Sequence, residues 1–324
     1  MSEYTIRPYT SADNAGLAVM WNESDDQWPG TFTGGVPMIE EMVRDWMEKE
    51  TCLMRLVVEE RSSGRIVGYG SLWQDASQSD TCYVELLNVH PAHQKRSLAR
   101  RMLTQMVDWA TDSGYHRMTI GTWPGNLKSV PLYKKVGFFW VPDTDVDLEN
   151  YIPAVRRLAV ARRFFEWHDW YTAFQRQLDQ VEDDQRHPST GDMKVFVLRW
   201  EEDGESLEAV VDRQSQALTG LQSQALTGLE TADFAAYAVV DDSEPTQSIA
   251  YPVRWRVVNK RAEPVDVSLL ARGQTGIEMN HRASFTLAAG EERLVEAVFT
   301  CAVAAPRLDP GDGHERRPAP AIKT

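Results

Sequence analysis

VELLNVHPAHQKRSLARRML, residues 84–103, decides the reading of this chain. The apolar run closing at Val89 reads as a strand, and HPAHQKRS as a turn. From Ser97 the spacing of Leu98, Met102, Leu103, Met106, Val107 and Trp109–Ala110 predicts an amphipathic helix that Gly114 ends. A strand that feeds a helix through a tight turn aims free backbone N–H groups and the positive end of the helix at one spot, which suits an anion. Lys95, Arg96, Arg100 and Arg101 add cations to the same turn. A phosphate-bearing ligand and a plain solvated basic helix start both fit that charge.

Working outward, strand and helix signals alternate over residues 1–142, which predicts an α/β layered domain with a mixed central sheet flanked by helices. TIRPYT reads as a strand, followed by a helix from Ser11–Asp13 to about Trp21 and a second helix over Pro37–Glu50. CLMRLVVEE and RIVGYGSLWQ form a hairpin pattern around RSSG; YHRMTIGTW and FFWV read as further strands, and NLKSVPLYKKVGF as a short helix with Pro131 in its first turn. Residues 143–192 read as a helical connector, with the aromatic run FFEWHDWY as a packing seam and RHPSTGD at 186–192 as a linker. Residues 193–305 show short strands and turns, the pattern of an antiparallel β-sandwich, immunoglobulin-like by strand pattern alone. Residues 306–324 have the composition of a disordered tail. QSQALTGL occurs twice, at 214–221 and 222–229, and reads as a local duplication in a loop or at a strand edge.

The chain has 324 residues, which suits two domains or three, and its 42% hydrophobic and 25% charged content excludes collagen, coiled coil and wholesale disorder. No apolar stretch is long enough for a membrane span, and no basic start precedes an apolar core at the N-terminus. The three cysteines form no framework, and a reducing cytoplasm is the expected compartment. His90, His93, His116, His168, His187, His281 and His314 show no metal-ligand spacing, so no metal is expected. The net charge of −14 is unevenly spread: residues 1–142 carry 14 Lys+Arg against 17 Asp+Glu, and residues 143–324 carry 20 against 31. Such an acidic chain is not expected to bind nucleic acid.

QKRSLA at 94–99 resembles the acetyl-CoA pyrophosphate motif of the GNAT family of N-acetyltransferases, Q/R-x-x-G-x-G/A. Val89-His90-Pro91 resembles the strand ending that precedes the motif in the family. Asn126, Tyr133 seven residues on, and KKVGF at 134–138 resemble its later elements. The resemblance covers about residues 3–142 and implies acetyl-CoA as co-substrate with a primary amine of a small molecule or protein as acceptor. It implies cofactor contacts at Leu87, Asn88, Val89, Gln94, Lys95, Arg96, Ser97, Leu98, Ala99, Arg100 and Asn126. The Val89 N–H would polarise the acetyl carbonyl. An alkylammonium must lose a proton before it attacks, and Glu85, on the same strand, is the candidate base; a surface glutamate is the other reading. Tyr133 would protonate the departing thiolate, or else it is a core aromatic. Asn126 serves equally as a helix cap.

Ser97 stands where the motif has its first glycine. It leaves open a second reading, a decayed acyl-CoA sensor in which the β module is the working part. Trp21, Asp25, Asp26 and Trp28 are candidate acceptor residues, by charge and ring face toward a cation, or else an exposed loop with anchoring tryptophans. The β-rich module could position a macromolecular acceptor, mediate a homodimer or simply stabilise the protein.

Overall fold

The computed structural model describes residues 3–48, 52–76, 78–141, 144–174, 179–180, 195–212, 225–239, 248–272 and 277–301. They fall into two compact units that divide after Gly121. The expected linker 186–192, the tail from 306 and the first QSQALTGL copy lie outside the described residues.

The first unit is built on a five-stranded run in the order β1 (Tyr4–Pro8), β2 (Cys52–Glu60), β3 (Ile66–Gln74), β4 (Thr81–Val89) and β5 (Arg117–Gly121). The first four strands pair antiparallel and β4–β5 pair parallel, so the sheet is mixed as the sequence predicts. Helices α1 (Asn14–Glu23) and α2 (Glu40–Met47) cover one face. There Leu17, Met20, Trp21, Val43 and Met47 pack with Val57, Tyr69 and Leu86. Helix α3 (Leu98–Asp112) covers the other face with Leu98, Met102, Leu103, Met106, Val107 and Ala110 buried. Its stripe departs from expectation at one end: Thr111 is buried, and Trp109 lies half-buried against Tyr115. Gly70 is what admits α3, because a Cβ there would come within 2.8 Å of Met106 Cε.

In the second unit α4 (Val130–Lys135) carries Pro131 in its first turn as expected. Strands β6 (Phe139–Trp140) and β7 (Asp147–Asn150) pair antiparallel. The sequence reads 143–187 as helical throughout; β7 and the short β8 (Asp179–Gln180) correct that, leaving helices α5 (Ile152–Arg157) and α6 (Ala159–Trp167). β7 escapes notice because only one of its buried residues, Leu148, is apolar, while Glu149 and Asn150 are buried with hydrogen-bond partners. The Tyr151 hydroxyl donates to Glu149, and Asn150 accepts from the Ile152 N–H while donating to the Val136 carbonyl. In the aromatic run, Phe165 stands edge-on to Trp200, whose Nε1 donates to the Trp170 carbonyl at 2.8 Å, so the expected packing seam forms.

The remaining strands make an eight-stranded antiparallel sheet, with strands at Asp179–Gln180, Val195–Glu202, Glu205–Asp212, Ala225–Thr231, Phe234–Val239, Ala250–Asn259, Glu292–Cys301 and Ile277–Glu278 in spatial order, and a two-stranded ribbon of Val265–Arg272 with Asn280–Leu287. The second QSQALTGL copy corrects its loop-or-edge reading. Ala225–Thr231 pairs on both sides, and Gly228 opposes Tyr237, whose ring lies where a Cβ would stand.

Candidate active site

The site begins at the end of β4. Its pairing with β5 runs from Thr81↔Arg117 to Val84↔Ile120, so among the described residues that register gives residues 86–89 no partner on the β5 side. The His90 N–H donates to the Val67 carbonyl at 2.9 Å, which fixes the antiparallel alternation along β3 and β4. By that alternation Asn88 and Leu86 exchange hydrogen bonds with β3, while the backbone groups of Leu87 and Val89 turn to the unpaired edge. The Gln94 side chain then donates to the Val89 carbonyl at 3.1 Å. One edge acceptor is therefore occupied, and the Val89 N–H remains as an edge donor. Gln94 acts here as a brace within the turn, a role the motif alone does not reveal.

The turn after His90 opens with the short helical turn Pro91–His93. Lys95 (φ 63°) and Ser97 (φ 61°) both take the left-handed conformation that glycine enters without steric penalty. The serine therefore holds the backbone shape that a glycine would give. Ser97 precedes α3 without capping it through its side chain, and no acidic residue sits in the first turn. The helix start therefore turns the N–H groups of Leu98 and Ala99 outward without a side-chain cap, in the arrangement that binds anions. Lys95 and Ser97 are exposed there, and Arg100 is half-buried. Arg96 is directed elsewhere: it pairs with Glu3 at 2.8 Å and lies over the Tyr4 ring at 5.7 Å. An exposed pair of this kind is weak enough for a phosphate to displace. Replacing Ser97→Gly is expected to relieve the left-handed penalty and stabilise the protein by about 1 kcal/mol, with acetyl-CoA affinity unchanged or tighter. Thermal unfolding and a binding titration check both.

Glu85 is the extra residue of a β-bulge. Ser71 pairs with Leu86 and Leu72 with Val84, leaving Glu85 between them. The bulge puts the Glu85 carboxylate on the Ser71 side, where the Ser71 hydroxyl donates to it at 3.1 Å. Ser71 is fully buried, and Tyr69 on the same face has its phenol pushed up by burial. The bulge is not marked in the sequence, where VELLNV reads as the end of an apolar strand whose partner is not specified. Asn88 faces this side too, and its Oδ1 is buried without a hydrogen-bond partner among the described residues.

Two of the four acceptor candidates fill other roles. Trp21 is fully buried in the α1–α2 core against Trp46 (5.1 Å), Tyr69 (5.4 Å) and Phe32 (5.5 Å), so its ring is not available to a ligand. Asp25 accepts the Thr33 N–H at 2.6 Å and so anchors its own loop. Trp28 is half-buried against Phe32, and Asp26 is exposed beside Gln27.

Asn126 and Tyr133 lie in the second unit. Asn126 Nδ2 donates to the Thr122 hydroxyl at 2.9 Å and Oδ1 accepts the Ser129 N–H at 3.1 Å, which makes it a brace at the entry to α4. One amide hydrogen is left for a ligand. Tyr133 is 5% exposed and packs on Phe138. Burial pushes its phenol above the usual range, against a smaller opposing effect of a hydrogen bond with Ser129, so it keeps its proton at neutral pH. Among the described residues no group of three or more metal-binding side chains occurs, and no helix is long and apolar enough to cross a membrane.

Residues 17–138 match the family model described as Acetyltransferase (GNAT) family. The chain is 28% identical over 178 residues, covering 54% of itself and 95% of the relative, to the L-amino acid N-acyltransferase MnaT of Escherichia coli (strain K12). It is 30% identical over 95 residues to the L-methionine sulfoximine/L-methionine sulfone acetyltransferase of Salmonella typhimurium, covering 29% of itself and 56% of that relative. A solved structure from Salmonella typhimurium, yncA, a putative acetyltransferase with its cofactor acetyl-CoA, aligns with a TM-score of 0.39 and 24% identity over 47% of this chain and 95% of that one. The family match and the curated relatives support a GNAT acetyltransferase domain at residues 17–138.

Proposed function

We propose that this protein is an acetyl-CoA-dependent N-acetyltransferase whose acceptor is the primary amine of a small molecule of the amino-acid kind. The observation that carries the reading is the unpaired edge of β4 at Leu87–Val89, which runs into a left-handed turn and an uncapped helix start. An extended pantetheine arm with two amides pairs with such an edge as a strand would, and a pyrophosphate suits the N–H groups of Leu98 and Ala99. Gln94 and Ser97 hold the turn, Lys95 and Arg100 supply charge, and Asn126 offers its remaining amide hydrogen. The acceptor class rests on the names of the two relatives, both of which act on amino acids or their analogues.

In the reaction, the amine nitrogen attacks the thioester carbonyl carbon, so a C–N bond forms and the C–S bond breaks. Glu85, with its carboxylate oriented by Ser71, takes the amine proton. The Val89 N–H stabilises the oxyanion that develops on the carbonyl. Tyr133 gives its phenolic proton to the leaving thiolate. The left-handed backbone at Ser97 favours this reading over the decayed sensor, because the serine keeps the shape that the motif's glycine would give.

Calorimetric titration with acetyl-CoA, followed by a panel of amines scored for free CoA release, tests the proposal. Micromolar-range binding and turnover with free amino acids or their analogues are expected. Absence of heat and of thermal shift at millimolar acetyl-CoA would overturn it.

A further inference from the structure

His90 reads in the sequence as a turn residue. In the structure it is the cap of Pro91–His93: its Nδ1 accepts the Ala92 N–H at 3.2 Å. A neutral imidazole that accepts at Nδ1 carries its hydrogen on Nε2, and that nitrogen lies 3.1 Å from the Glu23 carboxylate. Glu23 is the last residue of α1, at the entry to the loop that holds Asp25 and Trp28. Arg65, at the foot of β3, pairs with the same carboxylate, so Glu23 is itself held. Next in the turn, His93 Nδ1 takes the Tyr4 hydroxyl at 3.0 Å with Glu60 at 3.8 Å, and the two imidazoles stand edge to face at 5.5 Å. One ring therefore ties α1 to the first residues of the turn that continues into Gln94–Ser97.

We propose that His90 is a positioning residue for the cofactor turn: the neutral ring holds Ala92 and Glu23 together, and its protonation releases the turn, so that acetyl-CoA affinity falls as the solution is made acid. The inference rests on the reading of residues 87–100 as the acetyl-CoA site. A protonated ring presents N–H at Nδ1 to the Ala92 N–H, and two donors repel. The groups facing His90 are Glu23 from α1, Arg65 from β3 and His93 within the turn. Burial, with Arg65 and His93, outweighs the pull of Glu23 and lowers the imidazole below its usual range. The sign follows. Above about pH 6.5 the ring is neutral in both folded and unfolded chains and the cap is intact; as pH falls through the lowered value the contribution is lost.

The test uses the full chain as wild type, His90→Ala and His90→Asn. Asparagine keeps a short side-chain acceptor for the N–H two residues on and does not titrate. In His90→Ala the Ala92 amide is expected to exchange with solvent about ten-fold faster at pH 7.5, and acetyl-CoA to bind about five-fold more weakly, as befits one lost hydrogen bond. His90→Asn is expected to match wild type at pH 7.5 and to bind progressively more tightly than wild type as the pH is taken down from 6.5, up to about five-fold, a ratio in which the cofactor's own titration cancels. Wild-type affinity in His90→Ala, or a wild type to His90→Asn ratio that does not change with pH, would overturn the inference and leave the acetyl-CoA site standing. A wild type that binds no acetyl-CoA overturns both. Should His90→Ala fail to fold, the His90→Asn ratio decides alone.

Discussion

Tyr133→Phe is expected to lower kcat about 100-fold while the KM for acetyl-CoA stays within about two-fold, the signature of a group used only as the thiolate leaves. The substitution removes one oxygen and keeps the ring on Phe138, so the fold is expected to survive. Burial raises the phenol, which keeps its proton throughout the neutral range and surrenders it only above its ordinary value near 10. The wild-type rate is therefore expected to hold through the neutral and mildly alkaline range as far as this residue is concerned. CoA release followed with saturating amine measures it. Turnover equal to wild type would remove Tyr133 from the mechanism and leave it a core aromatic.

Trp21→Ala is expected to destabilise the protein by about 4 kcal/mol, the cost of a large cavity in a packed core. For a unit of this size that lowers Tm by roughly 10 °C. Trp21 is fully buried, and its ring lies within 5.5 Å of the centroids of Trp46, Tyr69 and Phe32. Trp21→Phe is expected to cost less than half as much, because it refills most of the cavity and also removes a buried indole N–H that has no acceptor among the described residues. Asp26→Ala, at an exposed position, is expected to leave Tm unchanged. Unfolding followed by circular dichroism separates these outcomes. A Trp21→Ala protein with unaltered Tm and a raised KM for amine would return Trp21 to the acceptor site.

Helix α3 was legible because its buried positions recur with a helical period, and β2 to β4 because each is an apolar run bounded by turn residues. Strand β7 was not, because two of its three buried residues, Glu149 and Asn150, are polar, held by Tyr151 and by the Val136 carbonyl, and carry no apolar signal. The Glu85 bulge was hidden for a related reason. A bulge is a mismatch between two strands, and neither strand carries it alone.

Trp21 follows the same rule. Near Asp25 and Asp26 in the chain it resembles a residue for binding cations, but ring contacts with Trp46 and Tyr69 place it in the core. Arg96 was counted with its basic neighbours, and the approach of β1 gives it Glu3 and Tyr4 instead. His90 and Gln94 were read correctly as turn residues, but their work as cap and brace needs partners at Ala92, Glu23 and Val89 held at fixed distances.

The sequence by itself determined the layered order of strands and helices in the first unit, the position of the turn from His90 to Ser97 and its concentration of positive charge. All of these depend on local spacing and composition. Only the tertiary structure decided which backbone groups of β4 face an unpaired edge, that Ser97 holds a left-handed backbone, which face the Glu85 carboxylate takes and which tryptophan is core. Each of those depends on what a second segment, distant in the chain, brings within hydrogen-bonding or van der Waals distance, and periodicity along one segment carries no record of that.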